Sequence, residues 1–315
     1  MIENTDLSVN ISGVTLKNPV IAASGTFGYG REYSGIFDVS CLGGICTKAL
    51  TLYPRAGNSG MRIWETPGGL LNSIGLENPG IPYFLEKELP FLLELKTVII
   101  ANLSGSDTDE YLQGAALLNK SGIDMIELNI SCPNVKMGGM AFGLDAQTAG
   151  SLVSKVRCKC SGKPLIVKLS PNAPSLSSVA AACVKAGADA LSLVNTFKAM
   201  AIDTAARKPV FNNISAGLSG PAVKPIALRM VWELFDDLEE KNAQVPIIGI
   251  GGISSVNDAL EFLMAGSCAV QIGSAVFVNP NVMTDIISGI QDYMKNNKMT
   301  KLNEISIRNT SWKKL

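Results

Sequence analysis

The chain contains no histidine. That absence removes the commonest general base and metal ligand at neutral pH, and with it Ser-His-Asp triads, Cys-His pairs and histidine-bound zinc. Proton chemistry therefore falls to Cys, Lys, Asp, Glu, Ser or Tyr. Excess charge is absent as well: 27 Lys and Arg balance 27 Asp and Glu, and only 17% of residues are charged. No surplus of positive charge exists to neutralise nucleic-acid phosphates or an anionic membrane surface, so neither is expected as a partner. No apolar run reaches the ~18 residues of a membrane span, and the N-terminal MIENTDLSVN lacks the basic-then-apolar order of a secretory signal. The expected location is the cytoplasm.

Cysteine is present but not as a framework. Cys41, Cys46, Cys132, Cys158, Cys160, Cys183 and Cys268 are odd in number, and without an export signal they read as free thiols, most of them small core residues. Cys158 and Cys160 form the one tight pair; with no further ligand at a binding spacing they read as helix-surface residues rather than a metal clip, and no metal is expected.

What the sequence does have is apolar mass, 47% of 315 residues, enough for a large core. Short apolar runs alternate with helical patterns from end to end, the signature of a parallel sheet. The runs Val20–Ala23, Gly44–Thr47, Val98–Asn102, Met125–Asn129, Leu165–Leu169, Ala190–Asn195, Pro246–Ile250 and Ala269–Ile272 predict strands, most of them continuously apolar and β-branched as strands buried on both faces should be. Helices are predicted over Thr108–Lys120, Gln147–Cys158, Ser177–Ala186, Pro225–Lys241 and Val256–Ala265, the third and last closed by glycine turns. Eight strands fit an α/β fold of the (β/α)8 TIM barrel type, one domain over 1–315, with a doubly wound open sheet as the alternative. The strand-end residues favour the barrel. Ser24, Lys48, Asn102, Asn129, Lys168, Asn195, Gly251-Gly252 and Gly273-Ser274 stand at or just past successive strands, as a convergent site on the C-terminal face requires. DLSVNISGVTLKN alternates around Ser-Gly and predicts an N-terminal β-hairpin that plugs the barrel bottom, while two long connections, Leu52 to about Pro82 and Phe197 to about Pro221, are long enough to be functional.

Several of these residues carry chemistry. IGIGGI (248–253) and QIGSAV (271–276) place glycine where strand gives way to helix, so backbone N–H groups can approach a phosphate, and Gly217-Leu-Ser-Gly220-Pro could add a third wall. No G-x-G-x-x-G opens a βαβ unit, which points to a mononucleotide rather than a dinucleotide. LNISCPNVKMGG (128–139) sets Cys132 before Pro133 in a loop rather than inside an apolar run, where a thiol with a pKa of about 8.5 can serve as a base. Lys48 in GGICTKAL and Lys168 in PLIVKLSPN sit in apolar surroundings that are costly for an ammonium unless an anion faces it. Near a flavin N1/O2 edge such a lysine stabilises the negative charge that arrives on reduction, and a second could hold a substrate carboxylate. Asn72, Asn129, Asn134 and Asn195, amides that pair both ways, suit a pyrimidine-like ring.

Taken together, NISCPNVKMGGMAFG, TPGGLLNSIGLENPG, IVKLSPN, VNTFKAMAIDTAARKP, GLSGPAVKPIALRMV, IIGIGGI and VQIGSAVF resemble the dihydroorotate dehydrogenases, from about Asn18 to about Pro280. The cysteine loop followed by GGMAFG is similar to the heteromeric class 1B catalytic subunit; membrane-bound relatives use a serine base and an N-terminal extension, and neither is expected here. The resemblance implies an FMN enzyme oxidising dihydroorotate to orotate in pyrimidine synthesis, with Cys132 removing the C5 proton while hydride leaves C6. It implies substrate contacts from Lys48, from Asn72, Ser73, Ile74, Gly75 and Leu76, and from Asn129, Asn134, Asn195 and Thr196. FMN would be held by Ser24, Lys48, Ala49, Asn102, Asn129, Lys168 and Val194, with Gly220, Gly251, Gly252, Gly273 and Ser274. The chain departs from its relatives at Tyr53, at Ser59, Gly60 and Met61, and at Phe197 and Lys198, none of them a core ligand. Because the cysteines form no C-x4-C-x2-C spacing and no dinucleotide fingerprint exists, the chain alone should reduce NAD poorly. The family implies a partner subunit carrying FAD and a [2Fe–2S] cluster around a homodimer of catalytic subunits, a heterotetramer. Two rivals stay open on the residues: an FMN-dependent uracil or thymine (dihydropyrimidine) dehydrogenase, and a Schiff-base aldolase using Lys168.

Overall fold

A computed structural model describes residues 5–130 and 142–309. Eight parallel strands close on themselves: β1 (Val20–Ala22), β2 (Gly44–Cys46), β3 (Val98–Leu103), β4 (Met125–Asn129), β5 (Leu165–Lys168), β6 (Ala190–Leu193), β7 (Ile247–Ile250) and β8 (Ala269–Ile272). Each pairs with its neighbours in chain order, and β8 returns to β1 through Gln271 opposite Ile21. That closure decides for the (β/α)8 TIM barrel and against the open sheet. All eight predicted runs became strands, four of them ending one or two residues early.

The helices follow the strands. α1 (Arg31–Ser34) is one turn, α2 spans 81–94, and α3 (Thr108–Asn119), α4 (Ala146–Arg157), α5 (Leu176–Lys185), α6 (Lys224–Glu240), α7 (Val256–Met264) and α8 (Val282–Asn296) complete the ring. Asp107, Asp145, Ser175 and Ser255 cap α3, α4, α5 and α7 by accepting a backbone N–H with the side chain, each cap contributing about 1 kcal/mol. Gly187 and Gly266, at φ +102° and +109°, follow the ends of α5 and α7 as the AGAD and AGS turns predicted. In α2, Pro90 has no N–H to offer the preceding turn, and the helix accommodates this with a π turn over Phe84–Glu88.

The predicted hairpin is present, Val9–Ile11 against Val14–Leu16, turning at Ser12 and Gly13. Its fully buried Ile11 and Leu16 pack on Ile21, Cys46, Ile100, Met125, Ile166, Ala190, Ile248 and Ala269, one residue from each barrel strand, and so close the bottom. At the opposite end the two long connections are not loose loops. They supply a four-stranded antiparallel sheet in the order Phe197–Met200, Ser215–Ser219, Gly69–Asn72, Ile63–Thr66, whose central pairing sets Gly217 opposite Asn72. Cys158 is exposed at the end of α4, whereas Cys160 is buried with its Sγ 3.2 Å from the Val156 carbonyl oxygen; the surface reading holds for the first and fails for the second. Among the described residues no helix is long and apolar enough to cross a membrane.

Candidate active site

The C-terminal mouth of the barrel gathers the predicted residues. Ser24 lies just past β1, Lys48 and Ala49 past β2, Asn102 in β3, Asn129 at the end of β4, Lys168 at the end of β5, and Val194, Asn195 and Thr196 past β6. Every described residue of the predicted substrate and cofactor sets is buried or half-buried. Cys132 and Asn134 lie outside the described residues.

Asparagines link the site laterally. Asn195 Nδ2 donates to Asn129 Oδ1 at 3.4 Å, Asn129 Nδ2 approaches Asn102 Oδ1 at 3.5 Å, and Asn102 Nδ2 donates to Glu127 Oε1 at 2.7 Å. Tyr111, fully buried on α3, holds the β4 backbone by donating its hydroxyl to the Asn129 carbonyl at 2.7 Å. Lys168, 5% exposed, finds the anion its surroundings demand inside the protein: its Nζ stands 3.7 Å from Glu127 Oε1. It is engaged in an ion pair, not standing free for carbonyl attack as an aldolase lysine would. Lys48 is the more open lysine, its Nζ 4.0 Å from Glu77 on the long connection between β2 and β3.

Sequence reasoning passed over Glu127. An acid in the middle of the apolar run MIELN carries the same signal that singled out Lys168, since neither charge is tolerated in a barrel without a partner. Burial pushes its carboxyl up, but Lys168 and donors from Gln271, Cys46 and Ser192 outweigh that and hold it below its ordinary value. Cys46, fully buried against this carboxylate, has its thiol pushed well up by desolvation first and Glu127 second, and stays a donor.

The segment bearing Asn72 is tied from several sides. Asn72 Nδ2 donates to the Gly217 carbonyl at 3.3 Å, while Ser73 Oγ accepts from Asn58 at 3.1 Å. Gly75 and Leu76 both take positive φ, +77° and +58°, turning the chain back toward Asn78. Arg55 and Glu110 latch its beginning: Glu110 accepts from the Leu52 N–H at 3.2 Å, the Ser106 N–H at 2.6 Å and Arg55 at 3.2 Å. The altered stretch from Ser59 to Met61 is held as well, Asn212 donating to the Ser59 carbonyl.

Glycines shape the third side. Gly251 and Gly252 turn at φ +133° and +70°, and a Cβ on Gly252 would meet the Gly220 carbonyl oxygen and the Lys224 N–H nitrogen. A Cβ on Gly220, itself at φ +104°, would stand 2.6 Å from Gly69 Cα. The predicted third wall therefore does adjoin the turn after β7, and Gly273-Ser274 opens the short 3-10 helix after β8. A cradle of turned backbone at Gly220, Gly251 and Gly252, with no room there for side chains, beside a buried lysine and amides, fits a phosphate-bearing planar cofactor such as FMN.

Comparison with known proteins agrees. The sequence model of the Dihydroorotate dehydrogenase family matches residues 6–294, beyond the span of the recognisable motifs at both ends. Three similar proteins are named Dihydroorotate dehydrogenase B (NAD(+)), catalytic subunit. The one from Petrotoga mobilis is 58% identical over 95% of this chain and 98% of its own length. Those from Geotalea daltonii and Thermoanaerobacter pseudethanolicus are 52% and 50% identical, each over 95% of this chain and 97% of theirs. On a family match along nearly its whole length and on relatives at half identity or more, the chain belongs to the dihydroorotate dehydrogenase family.

Proposed function

We propose that this chain, as one FMN-binding domain, oxidises (S)-dihydroorotate to orotate in de novo pyrimidine synthesis. The observation that carries the reading is the convergence at one barrel mouth of a buried lysine, three linked asparagines and a glycine cradle, beneath the sheet that presents Asn72. When bound, FMN would supply the acceptor for the hydride leaving C6. The protein does the rest. Lys48, Asn72, Ser73, Ile74, Gly75 and Leu76 hold the carboxylate and ring edge, and Asn129, Asn134, Asn195 and Thr196 pair with the amide and carbonyl groups. Cys132 takes the C5 proton. Ser24, Ala49, Asn102, Lys168 and Val194 seat the cofactor ring, while Gly220, Gly251, Gly252, Gly273 and Ser274 receive its phosphate.

In this reading electrons pass to NAD(+) through a partner subunit carrying FAD and a [2Fe–2S] cluster, around a homodimer of this chain, in the cytoplasm. The relatives' designation as catalytic subunits supports a separate electron-transfer subunit. Exposed Met61, Ile63, Met200, Ile202 and Ile214 on the two long connections, and Phe277 and Val278 after β8, offer apolar surface for such contacts. An anaerobic visible spectrum tests the central claim: flavin absorption should bleach on adding dihydroorotate and not dihydrouracil, and isolated chain should reduce artificial acceptors but little NAD(+). A purified chain that cannot be loaded with FMN overturns it.

A further inference from the structure

Glu127 is engaged by more of the barrel than any packing role requires. Its Oε1 accepts from Asn102 Nδ2 of β3 at 2.7 Å and Cys46 Sγ of β2 at 3.1 Å, and faces Lys168 Nζ of β5 at 3.7 Å. Its Oε2 accepts from Ser192 Oγ of β6 at 2.8 Å and Gln271 Nε2 of β8 at 2.6 Å. The residue has no exposed surface. Stability alone gives little reason for such a group, because replacing a buried ion pair by apolar side chains of similar volume is often neutral or stabilising. The charge lies directly above the apolar plug at the barrel bottom and directly below the mouth, and two of its partners, Asn102 and Lys168, belong to the residues proposed to seat the cofactor ring.

We propose that Glu127 is a positioning residue that fixes the Lys168 ammonium beneath the cofactor and tempers its field, thereby setting how readily the bound flavin is reduced. This rests on the FMN reading above. Lys168 favours arrival of negative charge on the ring; a carboxylate behind it, sealed from water, opposes that attraction and keeps the ammonium from turning to other partners. The four neutral donors hold the carboxylate ionised and spread its charge over both oxygens.

The test is an anaerobic redox titration of the FMN-loaded chain. Glu127→Gln should raise the flavin midpoint potential by about 30 mV or more, which for a two-electron couple is about tenfold in the reduction equilibrium. Glu127→Asp, which keeps the charge, should stay nearer the wild type than Glu127→Gln does. Ser192→Ala removes one donor, sharpens the carboxylate's field and should shift the potential the opposite way. An unchanged potential in Glu127→Gln with flavin retained overturns the proposal, as does Glu127→Asp shifting as far as Glu127→Gln. If Glu127→Gln does not hold flavin, Ser192→Ala decides, and an unshifted potential there overturns it. A wild-type chain that binds no FMN is a different failure, that of the functional reading itself.

Discussion

Gly252 and Gly220 meet backbone to backbone: a Cβ on Gly252 would stand 2.7 Å from the Gly220 carbonyl oxygen. Gly252 also sits at φ +70°, where a side chain costs about 1–2 kcal/mol. Gly252→Ala should therefore push the turn after β7 away from the third wall and weaken FMN binding by about tenfold or more, the equivalent of ~1.4 kcal/mol. Fluorescence titration of the apoprotein with FMN measures this, and wild-type affinity would remove the turn from the proposed phosphate cradle.

Cys132 carries the proton transfer in the proposed reaction. Cys132→Ala should lose about 10²-fold or more in turnover while dihydroorotate still binds. The wild-type pH–rate profile should rise through an apparent pKa near or above neutrality, as for a thiol base of ordinary pKa about 8.5. A flat profile, or an alanine variant of full activity, would assign the base elsewhere.

The Arg55–Glu110 latch predicts an effect at a distance. Glu110→Ala strips the buried Leu52 and partly buried Ser106 N–H groups of their acceptor, at a cost of about 1–3 kcal/mol, and frees the start of the connection that carries Asn72. Steady-state kinetics with an artificial acceptor should show KM for dihydroorotate rising more than kcat falls. Equal losses in both would mean that the latch supports folding without placing the substrate segment.

Acid should unfold the protein partly through Glu127. Its carboxyl titrates below the ordinary 4.5 in the folded state, so the unfolded chain binds more protons in that window. The stabilisation is fully present above about pH 4.5 and is lost as pH falls through the lower folded value. Melting temperatures between roughly pH 3 and pH 6 should fall less steeply with acid in Glu127→Gln than in the wild type. Parallel curves would show that other carboxylates dominate the acid limb.

Thiol reactivity should sort by burial. Burial pushes Cys160 up to about 11 and Cys183 up to about 12, while Cys158 is exposed. Brief alkylation followed by peptide mass spectrometry should label Cys158 ahead of Cys46, Cys160 and Cys183. Early label on Cys183 would indicate that α5 opens readily.

The barrel was legible because buried parallel strands write themselves as continuous β-branched runs, and Val98–Leu103 or Met125–Asn129 admit no helical period. The sheet above it was not. Ile63–Thr66 and Phe197–Met200 are short edge strands with exposed residues, and the joint that makes one sheet of the two hairpins, Gly69–Asn72 against Ser215–Ser219, is set between residues 145 positions apart. Lys168 announced itself as a charge in an apolar strand; Glu127 did so equally, but its meaning appears only when five other strands bring their side chains to it. α2 escaped notice because its prolines and its π turn break the regular period.

The joining of the two long connections into one sheet has an evolutionary consequence. Asn72 and Gly217 are register partners 145 positions apart in the chain. An insertion or slip in either connection displaces the strand on the other, so the two segments cannot diversify independently as the loops of most barrels do. A lineage that changes its preferred ring at the Asn72 turn must carry compensating changes between Ser215 and Ser219, and covariation between these segments is the trace it should leave.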